Sequence, residues 1–481
     1  MTGTAGSGGP AGPASRIDRS TWLALVAMGL GVFVIANDFT ALSVAIPEIE
    51  HDLHTTLTKA QWVINGYALV FGVLIVTGGR LADLFGRKKV FMIGAAIFAT
   101  FSLAAGLMPS VVPLIVCRGL MGIGGALMWP AILGMTYGLL PDEKAGLAGG
   151  LIIGVAGLGN AVGPLLGGFL TDELSWRWVF FINVPVTAFA VFVTHRLVPE
   201  TSLATTERHI DYAGIAVLSG AIVSILLALD QGPEEGFGDP AIIGLFVLGA
   251  ALLASFVWVE RQQGAGALVP SDVLRNRVFT ASCIVVLLMS AIFFAALLYL
   301  PQFMEKILDF SALKSGAGLL PMMVVFAITS FVAGPLYEKL GARVVVTGGA
   351  ACLAVGILLL SFVHDDSGYG ALVPGMLVLG VGVGLFYSSV TTVAVTSLDA
   401  SQSSLAGGIV YMCQIAGGAV GLGLNTAIVA SGATLADGIG TAFKVDAALA
   451  LIGLVVVLGV VGRHEEVTPR HRLRTHHRAH A

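Results

Sequence analysis

Long apolar stretches alternate with short polar breaks along the whole chain. A membrane core of about 30 Å is crossed by about 20 apolar helical residues, and dividing the chain by that length gives fourteen predicted spans. Since lipid offers the backbone no hydrogen-bond partners, each span is predicted to be a helix. The spans cover approximately residues 21–46, 59–80, 89–108, 112–136, 145–170, 177–197, 211–230, 240–260, 278–303, 313–333, 343–364, 370–397, 403–430 and 442–462.

Two of the polar breaks are copies of one another. Residues 79–88 read GRLADLFGRK and residues 334–343 read GPLYEKLGAR, and they align without gaps. The first copy joins spans 2 and 3 and the second joins spans 10 and 11, which is typical of the internal repeats of transporters. The predicted organisation is a leader over 1–20, a six-helix bundle over 21–197, two linking helices over 211–260, a second six-helix bundle over 278–462 and a tail over 463–481.

Composition and charge fix the class and the orientation. With 56% hydrophobic and 11% charged residues and a mean hydropathy of +0.91, the chain lies outside the range of soluble globular proteins. If the N-terminus is cytosolic, nineteen of the 25 Lys and Arg residues fall in cytosolic segments, as the positive-inside rule requires. We therefore expect an integral protein of the plasma membrane, surrounded by the lipid bilayer, with both termini in the cytosol and an uncleaved first span.

Several kinds of chemistry are missing from the pattern. No GxxxxGK[ST] loop occurs, so uphill work would have to draw on an ion gradient. The four cysteines fall singly within apolar runs, without the spacing of metal ligands. The basic, His-rich tail is predicted to be attracted to anionic lipid rather than to hold a metal. We predict no cofactor, no metal, no nucleic-acid partner and no enzymatic activity; a membrane enzyme, the alternative, would need clustered His, Asp or Glu residues within the spans.

The repeated loop combines turn-forming glycines with an acid between bases. Glycines allow two helices to turn tightly, and an acid such as Asp83 can bond nearby bases or cap the N-terminus of a neighbouring helix. This chemistry predicts a latch between moving bundles, whereas a simple orientation signal would explain only the bases. In the second copy Ala342 replaces a base, so the two latches are expected to differ in strength. The predicted latch residues are Gly79, Asp83, Gly86, Arg87, Lys88, Glu338 and Arg343.

These segments resemble one known family. GRLADLFGRKK at 79–89 resembles the signature loop of the major facilitator superfamily, and fourteen spans are typical of its drug:proton antiporter branch. Residues 114–131 resemble the arginine-bearing helix of that family, with Met121 where a glutamine is common. Span 5 matches the glycine–proline antiporter motif at Gly150, Gly159, Gly163, Pro164, Gly167 and Gly168. Further matches are 37–47, 175–185, 299–303 and 316–321.

The resemblance implies a fold and an activity. The expected fold is all-α, with two six-helix bundles and two extra central helices. The implied activity is proton-coupled export, by antiport and alternating access, of small amphipathic and often cationic drugs or antiseptics. Export of an endogenous natural product or lipid is the alternative within the same class. A monomer is expected.

Two charged residues inside the spans are candidates for proton coupling. Asp38 is interpreted as the one carboxylate well inside a span, and Arg118 lies about six residues into span 4, at a similar depth. Intramembrane charges are costly unless they are paired or functional, so we expect the two to meet, with Asp38 as the proton carrier. The alternatives are a structural acid bonded to Asn37, Thr40 or the backbone, and an arginine that reaches the membrane interface.

Span 5 and the polar residues of other spans complete the predictions. Gly159, Gly163 and Gly167 form GxxxG steps for close helix packing, and Pro164 removes a backbone bond, which together suit a seal between the halves. Plain tight packing is the alternative. An amphipathic cation could be held in a central cavity by stacking and hydrogen bonds. Its predicted lining is Trp62, Asn65, Tyr67, Trp129, Asn160, Tyr299, Tyr387, Tyr411 and Gln414, of which about half are expected to lie elsewhere.

Overall fold

A computed structural model describes residues 17–200, 210–263 and 267–460. Fourteen of the helices in these ranges are long and apolar enough to cross a membrane, which confirms the predicted count. Most of the predicted leader and the predicted tail at 463–481 lie outside the described residues.

The N-terminal bundle consists of seven helices that form six spans, because a short helix precedes the last. Helix α1 packs against α5 and α7, while α4 packs against α2 and α3. The helices are α1 (Arg19–Asp52), α2 (Leu57–Phe85), α3 (Arg87–Gly106), α4 (Val111–Leu139), α5 (Ala145–Glu173), α6 (Trp178–Phe181) and α7 (Asn183–Leu197).

The C-terminal bundle follows an accessory pair of helices, α8 (Tyr212–Glu235) and α9 (Pro240–Gln263). Within this bundle α14 packs against α15 and α17, and α11 packs against α16 and α17. Its helices are α10 (Ser271–Arg275), α11 (Arg277–Lys306), α12 (Ala312–Gly318), α13 (Leu320–Leu340), α14 (Ala342–Leu360), α15 (Tyr369–Thr396), α16 (Ser403–Ala430) and α17 (Leu435–Val460).

The two bundles meet along two seams. One seam joins α2 to α16 and the other joins α5 to α13. The accessory helix α8 contacts both α2 and α16, so it lies across the first seam, and α9 packs on α8. We call the side of the molecule at which α1 begins and α17 ends the terminal face, and the other side the opposite face.

Local sequence sets where the helices begin and end. Side-chain oxygens cap the first turns of several helices; the Thr56 hydroxyl, for example, accepts from the Lys59 amide at 3.4 Å at the start of α2. Gly86 separates α2 from α3 with φ of 101°, and Gly341 separates α13 from α14 with φ of 82°. Only glycine adopts such values without strain. The two copies of the repeated loop therefore fold alike.

Candidate functional site

Asp38 and Arg118 form a buried ion pair at mid-depth of the N-terminal bundle. An Nη1 of Arg118 lies 2.5 Å from Oδ2 of Asp38, and both side chains are 0% exposed. The predicted meeting of α1 and α4 at this point is confirmed by the contact. Since Arg118 is fully buried, it does not reach the membrane interface, and that alternative is wrong.

Asn183, at the start of α7, supports the acid from its other side. Its Nδ2 donates to Oδ1 of Asp38 at 3.1 Å and to the Ser102 hydroxyl at 3.2 Å. The Ser102 hydroxyl in turn donates to the Phe180 carbonyl at 2.8 Å. Both oxygens of Asp38 therefore accept a hydrogen bond, and one donor is a cation, as expected for an ionised carboxylate.

The guanidinium of Arg118 has four further neighbours, one of which is the Phe180 ring, with its centre 5.8 Å away. Its Nε donates to the Val63 carbonyl at 2.7 Å. Its carbon centre lies 4.3 Å from the centre of the Tyr67 ring, close enough for cation–π attraction. Nη1 is 3.9 Å from the sulfur of Met121, the residue where the resembling helix commonly has a glutamine. Nη2 has no partner among the described residues, so both of its N–H donors are free.

A row of aromatic rings leads from Arg118 to the C-terminal bundle. Tyr67 stacks on Phe71 with ring centres 5.8 Å apart. Phe71 meets Tyr411 of α16 edge-on at 5.7 Å. Tyr411 lies 4.3 Å from Trp129 of α4. A continuous chain of contacts thus connects the buried ion pair to the place where the two bundles meet.

That chain ends at a central cavity between the bundles. Its described lining consists of Ala36, Trp129, Ile153, Ala156, Asn160, Phe293, Phe326, Tyr387, Tyr411 and Gln414. Five predicted residues are in this lining. Sequence reasoning missed its alanines, Ile153 and the two phenylalanines, because nothing in an apolar span distinguishes a residue facing a cavity from one facing lipid.

The other four predicted cavity residues lie elsewhere. Tyr67 is beneath Arg118, and the Tyr299 hydroxyl pairs with the Thr426 hydroxyl at 2.9 Å. Trp62 and Asn65 are partly exposed and are not in the lining. None of the ten lining residues carries a charge.

At the terminal face, Asp83 joins the two bundles. Its Oδ1 lies 3.0 Å from Nη2 of Arg87. Its two oxygens also accept from the backbone amides of Ser404 at 3.3 Å and Leu405 at 2.8 Å, in the first turn of α16. Helix α16 has no side-chain cap of its own at Gln402. The N-terminal bundle therefore supplies the negative charge that a helix N-terminus favours.

Arg87 and Lys88 extend the same set of contacts in different directions. Arg87 donates to the carbonyl of Gly134 at 2.9 Å and to that of Ala400, ahead of α16, at 2.5 Å. Lys88 donates to the carbonyls of His195 at 2.9 Å and Val198 at 2.7 Å, at the end of α7. Arg87 thus links the bundles, whereas Lys88 acts within the N-terminal one.

The second copy of the loop makes the matching helix contact without the charges. A Cβ on Gly79 would lie 2.6 Å from the Ser404 carbonyl, and a Cβ on Gly334 would lie 2.8 Å from the Gly146 carbonyl. Both glycines therefore allow a seam to close. Glu338 and Arg343 are exposed, and neither forms an ion pair in the part of the chain that the structure describes. The expected inequality of the two copies agrees with this geometry.

The glycines of α5 serve two different contacts. Gly159 packs on α1, where an added Cβ would lie 2.9 Å from the Ala36 methyl. Gly163 and Gly167 face Thr40 and Ala41 of the same helix, and Gly168 is buried. These glycines therefore pack α5 on α1 within the N-terminal bundle, as the tight-packing alternative describes. The seal between the halves stays a prediction. Pro164 is accommodated within one unbroken helix.

Gly150 is the motif glycine that lies at a seam. Its added Cβ would lie 2.7 Å from the Ser330 carbonyl of α13. Replacing Gly150 with Leu should therefore push α5 and α13 apart and open the terminal face, because the backbone of α13 that the new side chain would meet cannot move aside. Spin labels at the exposed positions 89 and 339 should report a longer distance across that face. Gly244 in α9 is the control, because a Cβ added there would have no atom within 4 Å. Gly244→Leu should leave the label distance unchanged, and equal distances in the two variants would contradict the prediction.

Asp446 is a buried acid that sequence reasoning missed. It is 0% exposed and is the twelfth residue of α17. The expectation that Asp38 is the one carboxylate well inside a span is therefore wrong. The cause is the position of the helix start: α17 begins at Leu435 rather than near 442, because the small and polar residues of its first turns still form helix.

Comparisons with known proteins agree with this architecture. The sequence model described as Major Facilitator Superfamily matches residues 28–422 and, in a second alignment, residues 322–480. The chain is 31% identical over 419 residues to the tetracenomycin C resistance and export protein of Streptomyces glaucescens, covering 87% of this chain and 78% of that protein. It is 33% identical over 426 residues to the puromycin resistance protein of Streptomyces alboniger, covering 87% and 84%.

The fold also matches a solved structure. The crystal structure of the human organic anion transporter MFSD10 (TETRAN) superposes with a TM-score of 0.68 at 14% sequence identity, covering 92% of this chain and all of that one. The repeated loops, the two packed bundles and the family match over most of the sequence lead to one conclusion. The chain belongs to the Major Facilitator Superfamily.

Proposed function

We propose that this protein is a secondary active exporter that moves small amphipathic compounds out of the cell in exchange for protons. Alternating access would occur by rocking the two bundles about the central cavity, as inverted or parallel repeats allow. The cytosol is assigned to the terminal face, because the basic residues concentrate there. The relatives support export, since one is named as an export protein and another as a resistance protein.

The proton site is assigned to Asp38 with Arg118. As an ion pair they contribute no net charge; once Asp38 takes a proton, the pair becomes singly positive. The positive charge of the pair then repels a cation in the cavity, on the far side of the row of aromatic rings. Linkage requires that the cation weaken proton binding by the same free energy, and that reciprocal competition is the basis of antiport.

The contacts of the latch indicate which transport state the structure represents. The contacts of Asp83 with α16 and of Arg87 with Ala400, and the hydrogen bond between the Tyr137 and Thr392 hydroxyls at 3.0 Å, hold the bundles together at the terminal face. The structure is therefore interpreted as the state closed to the cytosol. Opening toward the cytosol would expose the first turn of α16 and separate the buried charges from their partners, so the latch sets the balance between states.

The substrate class follows from the cavity. Trp129, Tyr387 and Tyr411 offer ring faces, while Asn160 and Gln414 offer amides. The cavity has room for little more than water in this state. Enlarged as the bundles move, such a lining would accept flat aromatic compounds, whether cationic through cation–π attraction or neutral through stacking. The absence of an acid in the described lining favours the second candidate, export of a neutral aromatic natural product, because a neutral compound needs no counter-ion.

The observation that carries this proposal is the buried Asp38–Arg118 pair, joined by aromatic contacts to a cavity between two bundles. Inverted membrane vesicles containing the full chain test it. With respiration acidifying their interior, they should accumulate a fluorescent aromatic cation, and a protonophore should release it. Accumulation that survives the protonophore, or that requires sodium, would refute proton coupling.

The same assay addresses the rival class. An integral membrane enzyme would alter the compound, whereas a transporter returns it intact. Mass spectrometry of the vesicle contents separates the two. Recovery of a modified product in proportion to uptake would overturn the assignment as a transporter.

A further inference from the structure

Asp446 of α17 lies in a polar cluster that the proposed transport mechanism does not use. Its Oδ1 accepts a hydrogen bond from Nδ2 of Asn425, in α16, at 3.1 Å. Its Oδ2 is buried and has no hydrogen-bond partner. In a membrane, an unpaired charged oxygen of this kind is costly, so the site demands either a counter-ion or a proton.

Asn425 shows which of its atoms faces what. Its Nδ2 also donates to the Gly421 carbonyl at 2.8 Å. Because Nδ2 has two acceptors around it, the amide orientation is fixed by its bonds. Its Oδ1 is then a buried acceptor with no donor. The pair therefore leaves two acceptors unsatisfied, one on each side chain.

A single proton gives both unsatisfied oxygens a hydrogen bond. A carboxylate can only accept hydrogen bonds, but a protonated carboxyl has one O–H to donate. With the proton on Oδ2 of Asp446, the acid can donate to Oδ1 of Asn425 while accepting from its Nδ2. The acid and the amide then form a cyclic pair in which every buried polar atom is bonded.

The surroundings supply no alternative counter-charge. In the described part of the chain Asp446 forms no ion pair with Lys, Arg or His. On the packed helices, the Tyr299 hydroxyl of α11 is bonded to that of Thr426. The other titratable or charged residues of these helices are Arg277, Cys283, Glu305 and Lys306 in α11, Arg343 and Cys352 in α14, Tyr411 and Cys413 in α16, and Asp437 and Lys444 in α17.

We propose that Asp446 and Asn425 form a second proton-binding site, in the C-terminal bundle, and that Asp446 carries its proton in the state closed at the terminal face. Asp38 provides the contrast, because its two oxygens accept from a guanidinium and an amide. One conformation thus holds a charge-paired acid in one bundle and an acid without a counter-charge in the other. The part that the second proton takes in transport rests on the proposed function; its binding does not.

Infrared spectroscopy of the full chain in lipid nanodiscs at neutral pH tests the site. The carbonyl stretch of a protonated carboxyl should be present in wild type and in Asp38→Asn, and one component should be lost in Asp446→Asn. Asn425→Ala should shift that component to higher frequency, because the carbonyl oxygen of the acid loses its donor, Nδ2 of Asn425. An unchanged band in Asp446→Asn would overturn the proposal, as would loss of the band from wild type on adding sodium, which would identify a metal cation as the ligand.

A measurement without mutation guards against misfolded variants. Wild type labelled with ¹³C in its aspartate carboxyls should show the same component at lower frequency, and its absence from the shifted band would refute the site. The vesicle assay remains independent. Proton-insensitive transport together with the Asp446 band would refute the proposed coupling and leave the site standing, whereas coupled transport without the band would do the reverse.

Discussion

Replacing Asp38 with Asn should reduce proton-driven uptake by inverted vesicles to the level of vesicles without the protein. Asparagine cannot exchange a proton, and Arg118 then keeps an unbalanced buried charge, so the variant permanently resembles the protonated state. Binding of an aromatic cation should be weak at every pH, whereas in wild type it should strengthen with rising pH by up to about tenfold per unit, the limit for one linked proton. Neutral aromatic compounds should still bind.

A matched control lies at the opposite face. Asp52 and Arg177 form the same type of pair with the same 2.5 Å separation, but their side chains are 41% and 30% exposed. Exposed pairs contribute about 0–1 kcal/mol. Asp52→Asn should therefore transport like wild type with unchanged pH dependence. If Asp38→Asn also keeps uphill uptake and its pH dependence, Asp38 is not the carrier.

Replacing Asp83 with Asn should open the terminal face and slow turnover while substrate affinity stays nearly unchanged. The variant leaves Arg87 without its anion and the first turn of α16 without a negative cap, in a place where water is excluded. Coupling of this kind shifts an equilibrium by about 1–3 kcal/mol, or 5–150-fold. Spin labels at positions 89 and 339, both exposed, measure the populations, and equilibrium binding of a fluorescent substrate measures affinity.

The internal repeat supplies the control for this experiment. Glu338 aligns with Asp83 in the second copy, but its side chain is exposed. Glu338→Gln should leave both the label distances and the turnover unchanged. Lost substrate binding with unaltered label distances in Asp83→Asn would show that Asp83 acts on the cavity and not on a latch.

The fold could be predicted because the bilayer imposes one length on every span. The apolar stretches predicted all fourteen membrane-spanning helices. The predicted bounds were wrong mainly at helix ends, such as the start of α17, where small and polar residues are helical. Depth along the helix axis also predicted the meeting of Asp38 with Arg118. Depth does not report direction around a helix, so the support from Asn183 could not be foreseen.

Contacts between distant parts of the chain were harder to predict. The residues of the repeated loop indicated that Asp83 could cap a helix, but nothing in them identifies α16 as that helix. The same limit applies to span 5, where Gly150 and Gly163 belong to one motif yet face different helices. Which side of a glycine meets a neighbour depends on the packing of whole bundles, and no short segment contains that information.

The accessory pair makes the molecule's two sides unequal toward the bilayer. Helix α8 lies across the α2–α16 seam, whereas at the α5–α13 seam Phe331, whose ring faces Gly154 of α5, is 42% exposed. Hydrophobic drugs partition into lipid before they meet a transporter. A compound dissolved in the bilayer can therefore enter the cavity from the lipid only where no extra helix covers a seam. We expect this entry to lie between α5 and α13, because α8 and α9 cover the α2–α16 seam.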